Sequence, residues 1–220
     1  MKNLKKLYCR TFQTGLKIAL PFLPYRKPRV FGSVKYIPEI IAKHKCSRVL
    51  IITDTGVKGL GLTSRLEHSL SEAKIPYFIY DQVVANPTTA NVADALQLYH
   101  TNACDVIIGF GGGSSIDCAK AVGARAVKPK QSLAKMKGIL KVRKKLPLLI
   151  AIPTTAGTGS ETTLAAVITD AQTRYKYAIN DSTYSKICRV RSESNSKPSS
   201  ISHRNNRNGR AYACCRSLHW

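Results

Sequence analysis

Between Ser47 and Pro153 the chain alternates short β-branched apolar runs with amphipathic stretches, and this alternation constrains the fold more than any other feature. "SRVLIITD", "IPYFIYDQVV", "CDVIIGF" and "LPLLIAIP" are nearly unbroken apolar runs, the pattern of strands buried on both faces. Helical spacing fills the gaps. Leu66 and Leu70 are in step in "TSRLEHSLSEAK", and Val92, Leu96 and Tyr99 in "TTANVADALQLYHTN"; "SSIDCAKAVGARAV" supplies a third helix. Strand followed by helix, repeated, predicts an α/β fold of Rossmann-like type, a parallel sheet with helices on both faces. Right-handed crossovers then bring the strand C-termini to one edge, where such sheets bind ligands.

After Pro153 the texture changes. "TTLAAVITD" and "YKYAIND" read as a hairpin joined through "DAQTR". Beyond Lys186 a Ser-, Arg- and Asn-rich stretch carries neither the 2.0 nor the 3.6 period and is expected to be disordered. This divides the chain into an N-terminal amphipathic segment (1–29), an α/β domain (30–186) and a tail (187–220). At the N-terminus, "MKNLKK" resembles the start of a signal peptide, but Arg10 and Lys17 interrupt any apolar core behind it, which favours a segment that packs on the domain. "IALPFLP" is too short, and too broken by Pro21 and Pro24, to span a membrane.

Charge and cysteines set the environment. The 35 Lys and Arg against 12 Asp and Glu give a net charge of +23, which suits polyanions. The excess is spread out, with one cluster at "KPKQSLAKMKGILKVRKK" (128–145) and another in the tail. The seven cysteines form no CxxC pair, so reduced thiols and a cytoplasmic location are expected rather than a disulfide framework or a zinc site.

Three stretches could carry chemistry. In "CDVIIGFGGGSSIDCAK" a buried strand runs into Gly111, Gly112 and Gly113, and a helix opens at Ser114 or Ser115, with Asp117 expected in its first turn. Glycines there permit a sharp turn and close ligand approach, and the helix N-terminus suits a phosphate. A tight structural turn accounts for the same residues, and the strict GxGxxG fingerprint is absent. "IPTTAGTGSE" follows another buried strand and offers Thr154, Thr155, Gly157, Thr158, Gly159 and Ser160 to a polar ligand, or simply caps the next element. Asp54 closes "VLIITD"; an acid there can hold a ribose hydroxyl pair or cap a helix. All three fall on one sheet edge, which favours a dinucleotide site.

"LIITDTGVKGLGL", "DQVVANPTTANV", "CDVIIGFGGGSSIDCAKAVG" and "PLLIAIPTTAGTGSETTLAAVITD" together resemble the N-terminal cofactor domain of the iron-containing alcohol dehydrogenases, from about Val30 to Lys186. The resemblance implies alcohol–aldehyde interconversion by hydride transfer to NAD or NADP. It implies that Asp54 meets the adenosine ribose, that Asn86 lies near the cofactor, and that Gly112, Gly113 and Ser114 cradle the pyrophosphate. Thr154, Thr155, Thr158 and Thr163 would line the nicotinamide half, with Lys176 close by. Asp54 leans towards NAD, because a carboxylate repels a 2′-phosphate. The implied partners are the dinucleotide and a small alcohol or aldehyde, and a homodimer is compatible with it.

Members of that family are nearly twice this long and carry a helical second half whose one Asp and three His hold the metal; the Asp and first His lie in an "ATGMDALTHAVEAY"-like helix. The tail here has no such residues. Its stretch "NSKPSSISHRNNRNGRAYACCRSLHW" can, however, be encoded so that the neighbouring frame reads "TLNLPQYLTATTGMDALMHAVEAYIG". Asn208-Gly209 written AAT-GGA yields ATG across the junction, and Gly209-Arg210 written GGA-CGC yields GAC. A frameshift near Lys186 to Cys188 is therefore expected, with Gly209 standing at the first metal ligand and Ala213 at the first His. His44, His68 and His100 are expected at surface or packing positions, and Cys214–Cys215 lacks partner spacing for a metal. The expected function is a truncated dehydrogenase that binds nucleotide without a metal site. Two alternatives stand beside it: a basic module for nucleic acid or another polyanion, and a non-functional gene remnant.

Overall fold

The computed structural model describes residues 30–155, 157–186 and 188–190, with Thr14 alone from the N-terminal segment. The expectations for residues 1–29 and 191–220 otherwise lie outside the described residues. In chain order the elements are β1 (Val30–Phe31), α1 (Ile37–Lys43), β2 (Val49–Ile52), α2 (Thr55–Gly59), α3 (Ser64–Glu72), β3 (Tyr77–Tyr80), α4 (Thr89–Thr101) and β4 (Val106–Gly111). Then come α5 (Gly113–Val127), β5 (Gly138–Ile139), β6 (Leu148–Pro153), β7 (Ala165–Thr169), β8 (Lys176–Asn180) and β9 (Cys188–Val190).

The predicted α/β architecture is present. Six parallel strands form one sheet in the order β1-β9-β6-β4-β2-β3. β2, β4 and β6 carry no charged or polar side chain because helices cover both faces. Leu50, Ile52, Ile107, Leu149 and Ala151 point into one buried cluster with Val92, Leu96 and Tyr99 of α4 and Ile116, Ala119 and Val122 of α5. The intervening Val49, Ile51, Val106, Ile108, Ile150 and Ile152 point into the other, with Ile37, Ile40 and Ile41 of α1 and Leu66 and Leu70 of α3. The two-residue period of a strand thus splits one apolar run between two cores.

The predicted hairpin is also present: β7 and β8 pair antiparallel, with Val167 opposite Ala178. It gains a third strand, β5, which pairs parallel to β8. The sequence reading left this strand inside the basic cluster, since two residues are too few to show a period. A second difference concerns Lys186, taken as the end of order. Cys188–Val190 adds β9 between β6 and β1. Ladder bonds use backbone N–H and C=O, which residues of any side-chain type except proline can supply. No helix among the described residues is long and apolar enough to cross a membrane.

Candidate functional site

Strand order decides where a ligand can lie. From β2 the chain moves outward through α3 to β3, then returns through α4, on the opposite face, to β4 on the other side of β2. The C-terminal ends of β2 and β4 therefore flank the point where the winding reverses, the position at which open parallel sheets bind ligands. β4 ends on Gly111, whose φ of +141° is reserved in practice for glycine. Gly112 is the N-cap of α5, with an extended backbone and no side-chain cap. The expectation that this helix opens at Ser114 or Ser115, with Asp117 in its first turn, is therefore corrected. The helix begins at Gly113, and Asp117 lies beyond the first turn. The leading N–H groups of Gly113, Ser114 and Ser115 have no intrahelical carbonyl, which leaves them to an outside acceptor.

Around this end the expected residues gather. The Ser114 hydroxyl accepts from the backbone N–H of Asn86 at 3.3 Å. Asn86 sits at φ +61°, and its side-chain oxygen accepts from Lys176 Nζ at 2.7 Å. Asp54 follows β2. It caps α2, accepting from the Val57 N–H at 2.9 Å, so the capping alternative is realised. Its second oxygen accepts from the Ser115 hydroxyl at 3.4 Å, and a Cβ placed on Gly111 would come within 3.3 Å of it. One carboxylate thus caps a helix and still borders the glycine turn.

The other wall is the stretch after β6. The Thr154 N–H donates to the Gly111 carbonyl at 2.9 Å, locking the loop to the glycine turn. A Cβ on Gly112 would lie 3.5 Å from Thr155 Oγ1. A Cβ on Gly113 would lie 2.9 Å from Ser160 Oγ and 3.5 Å from Thr158 Cβ. The two walls meet so closely that a Cβ on Gly113 would force the Ser160 hydroxyl to shift. Thr155 and Thr158 are exposed, and Thr154 is half-buried. The Thr163 hydroxyl does not face an open cleft unencumbered, for Lys120 Nζ donates to it at 3.1 Å.

Lys120 is the residue that the sequence did not single out, and Asp117 is the acid beside it. Lys120 is fully buried, and its ammonium also donates to the carbonyls of Ser160 (2.6 Å), Thr163 (2.9 Å) and Ala165 (2.7 Å). Burial lowers its pKa from 10.5 to about 8, opposed by the charges of Asp117 and Glu161. Asp117 accepts from the Val167 N–H at 3.1 Å, and its other oxygen lies 3.8 Å from Lys120 Nζ. Burial raises the pKa of Asp117 above the usual carboxylate range, against the pull of Lys120 and the Val167 N–H. The signal was available: Gly113, Asp117 and Lys120 are spaced i, i+4, i+7, so an acid and a base share one face of an otherwise apolar helix.

A metal finds no such arrangement. Among the described residues no group of three His, Cys, Asp or Glu comes together to hold one. His44, His68 and His100 are exposed. Cys46, Cys104 and Cys118 are free thiols. Gly209, Ala213, Cys214 and Cys215 lie outside the described residues.

A doubly wound parallel sheet, with a glycine-rich strand–helix junction at its reversal point and an acid on the neighbouring strand end, defines the open α/β class in which ligands bind at the strand C-termini. The comparisons narrow this. The family profile described as iron-containing alcohol dehydrogenase matches residues 29–190, and the chain belongs to that family. It is 36% identical over 148 residues to a choline dehydrogenase of Bacillus subtilis, covering 66% of this chain and 37% of that protein. It is 33% identical over 150 residues to an NAD-dependent methanol dehydrogenase of Bacillus methanolicus, covering 68% of this chain and 39% of that protein. Among solved structures, a 1,3-propanediol oxidoreductase superposes with a TM-score of 0.71 at 32% identity, covering 76% of this chain and 44% of that one. The chain thus spans less than half the length of these relatives.

Proposed function

We propose that residues 30–190 form the nucleotide half of an NAD-linked alcohol dehydrogenase, and that this chain binds the dinucleotide without carrying out the family reaction by itself. The convergence of Gly111–Ser114, Asp54 and the 154–163 stretch on one strand edge carries this reading. A cradle that a single Cβ would fill suits a group pressed against the backbone. When bound, the dinucleotide supplies a hydride acceptor. The chain's own residues bind and orient it. The N–H groups of Gly113 and Ser114, with the glycine turn at Gly112, hold pyrophosphate oxygens against the positive end of α5. Asp54 accepts from the adenosine ribose hydroxyls and repels a 2′-phosphate, which selects NAD over NADP. Asn86, with Lys176 on its amide oxygen, borders the phosphate side. Thr154, Thr155, Thr158 and Thr163 offer hydroxyls and backbone to the nicotinamide half. The name of the methanol dehydrogenase relative supports NAD as the cofactor.

The described residues do not fit the family's metal, and no step is routed through one. The codon relation of the tail supports a frameshift near Lys186 to Cys188, which puts Gly209 and Ala213 where an Asp and a His would stand. Calorimetric titration of the purified chain with NAD and with NADP tests the binding half: NAD binds more tightly, and no heat with either nucleotide up to millimolar concentration removes the proposal. Iron-dependent alcohol oxidation above background would remove the inactive half. The DNA sequence across codons 180–220 decides the frameshift.

One observation favours a second reading, a polyanion-binding surface. Lys130, Lys135, Lys137, Lys141, Arg143, Lys144 and Lys145 are all exposed, and no acid lies among them in the sequence. An oligonucleotide titration at falling salt tests it, and no affinity even at low salt disposes of it.

A further inference from the structure

We infer that Lys120 is a positioning residue for the nucleotide site: its ammonium ties the Ser160–Ala165 stretch to α5 and so sets the width of the cleft between the two walls. This rests on the reading of that cleft as the dinucleotide site. The geometry is a line of three contacts along one helix face. Gly113, at the mouth, meets Ser160 and Thr158 so closely that a Cβ would displace the Ser160 hydroxyl. Asp117, one turn in, accepts from the Val167 N–H at 3.1 Å. Lys120, a further turn in, donates to Ser160, Thr163 and Ala165 between 2.6 and 3.1 Å.

These contacts differ in what they can hold. Gly113 only permits the walls to approach; it exerts no pull. Asp117 anchors β7, beyond the loop. Asp117 also reaches the loop, through the Ser160 side chain, but Lys120 bonds to the loop's backbone, at both its Ser160 and its Thr163–Ala165 ends. Elsewhere the loop is held by the Asp181 N–H on the Leu164 carbonyl at 2.9 Å and by the burial of Glu161. Thr155, Gly157, Thr158, Thr162 and Thr163 are exposed, and Gly157 and Gly159 sit at φ +96° and +62°. A lysine with no exposed surface is costly to bury, and that cost is offset only when its donors are satisfied and the charge is balanced. Here oxygen acceptors from the loop supply the first and Asp117, at 3.8 Å, the second, with the Tyr184 ring 5.6 Å away on the remaining side. Loop and ammonium each need the other in place, which makes the loop position discrete rather than continuously variable.

The test compares the full wild-type chain with Lys120→Met by NAD titration and by amide hydrogen exchange without nucleotide. In the variant, amides of residues 160–165 exchange at least tenfold faster, those of β4 are unchanged, and the NAD dissociation constant rises at least tenfold. A lysine that served stability alone would speed exchange throughout, β4 included, and leave the folded protein's affinity unchanged; that result overturns the inference. If wild type binds no NAD, the cofactor reading fails, while the exchange comparison still decides the clamp. Where Lys120→Met does not fold, the wild-type chain provides the readout. Nitrogen-detected NMR shows a solvent-protected Lys120 ammonium, and saturating NAD slows its proton exchange severalfold. A Lys120 ammonium that exchanges as freely as a surface lysine, or that does not respond to NAD, overturns the inference.

Discussion

The two walls of the cleft are built by different physics. The α5 wall stands on β4, buried along all six residues, and Ser115–Ala124 of the helix is buried without a break. Apolar burial of that extent is non-directional and spread over many close-packed side chains, so the wall is rigid and each large side chain in it adds to stability. The 154–164 wall is Thr- and Gly-rich and half exposed, and polar contacts through Thr154, Ser160, Leu164 and Lys120 hold it. Polar contacts are directional and few, so each matters to position while adding little to the stability of the whole. A cleft made this way joins a fixed glycine turn to an adjustable second side.

The sharpest contrast should come from Ile107→Ala, which empties a fully buried place beneath α5. It should cost about 2–5 kcal/mol in denaturant unfolding, and a smaller loss would mean that the first wall is less tightly packed than its burial implies. Gly113→Ala comes next. Its Cβ would stand 2.9 Å from Ser160 Oγ, so the loop must give way. NAD affinity should fall by roughly tenfold, about 1.4 kcal/mol, while the unfolding midpoint moves little; unchanged affinity would break the proposed division of labour. Asp54→Asn keeps an oxygen for the Val57 N–H and so keeps the cap, leaving stability within about 0.5 kcal/mol. Its effect should appear as a narrowed preference for NAD over NADP in paired titrations.

The last comparison is one of pH. The folded-state pKa of Lys120 is lowered by burial to about 8 from 10.5, so between those values the unfolded chain holds more protons. Stability from this group therefore rises with pH across that window, by less than about 1.4 kcal/mol per unit. Urea titrations of wild type and Lys120→Met between pH 7.5 and 10 should differ by that slope. Parallel slopes would mean that the ammonium is solvated and the second wall unclamped.

The first wall could be read from the residues. "CDVIIGF" is apolar enough to be a strand buried on both faces, and three glycines before "SSIDCAK" can do little but turn into a helix. The family followed from "GGGSSIDCAK" and "PTTAGTGSE" taken in order, and the profile match over 29–190 agrees. The second wall was legible only as a loop. Its Thr and Gly content does not say where it rests, because that is decided by Lys120, forty residues or more away in sequence from Ser160 and Thr163.

Composition and period alone therefore determined a parallel α/β sheet, its helices and the edge on which the strand C-termini fall, because these follow from burying apolar residues at spacings of two and 3.6. Only the tertiary structure decided that Gly112 rather than a serine caps α5, that Asp54 both caps α2 and faces the turn, and that β5 and β9 exist. The reason is the same in each case. These features rest on single hydrogen bonds and on pairs of residues distant in the chain, and such pairings leave no local pattern in the sequence.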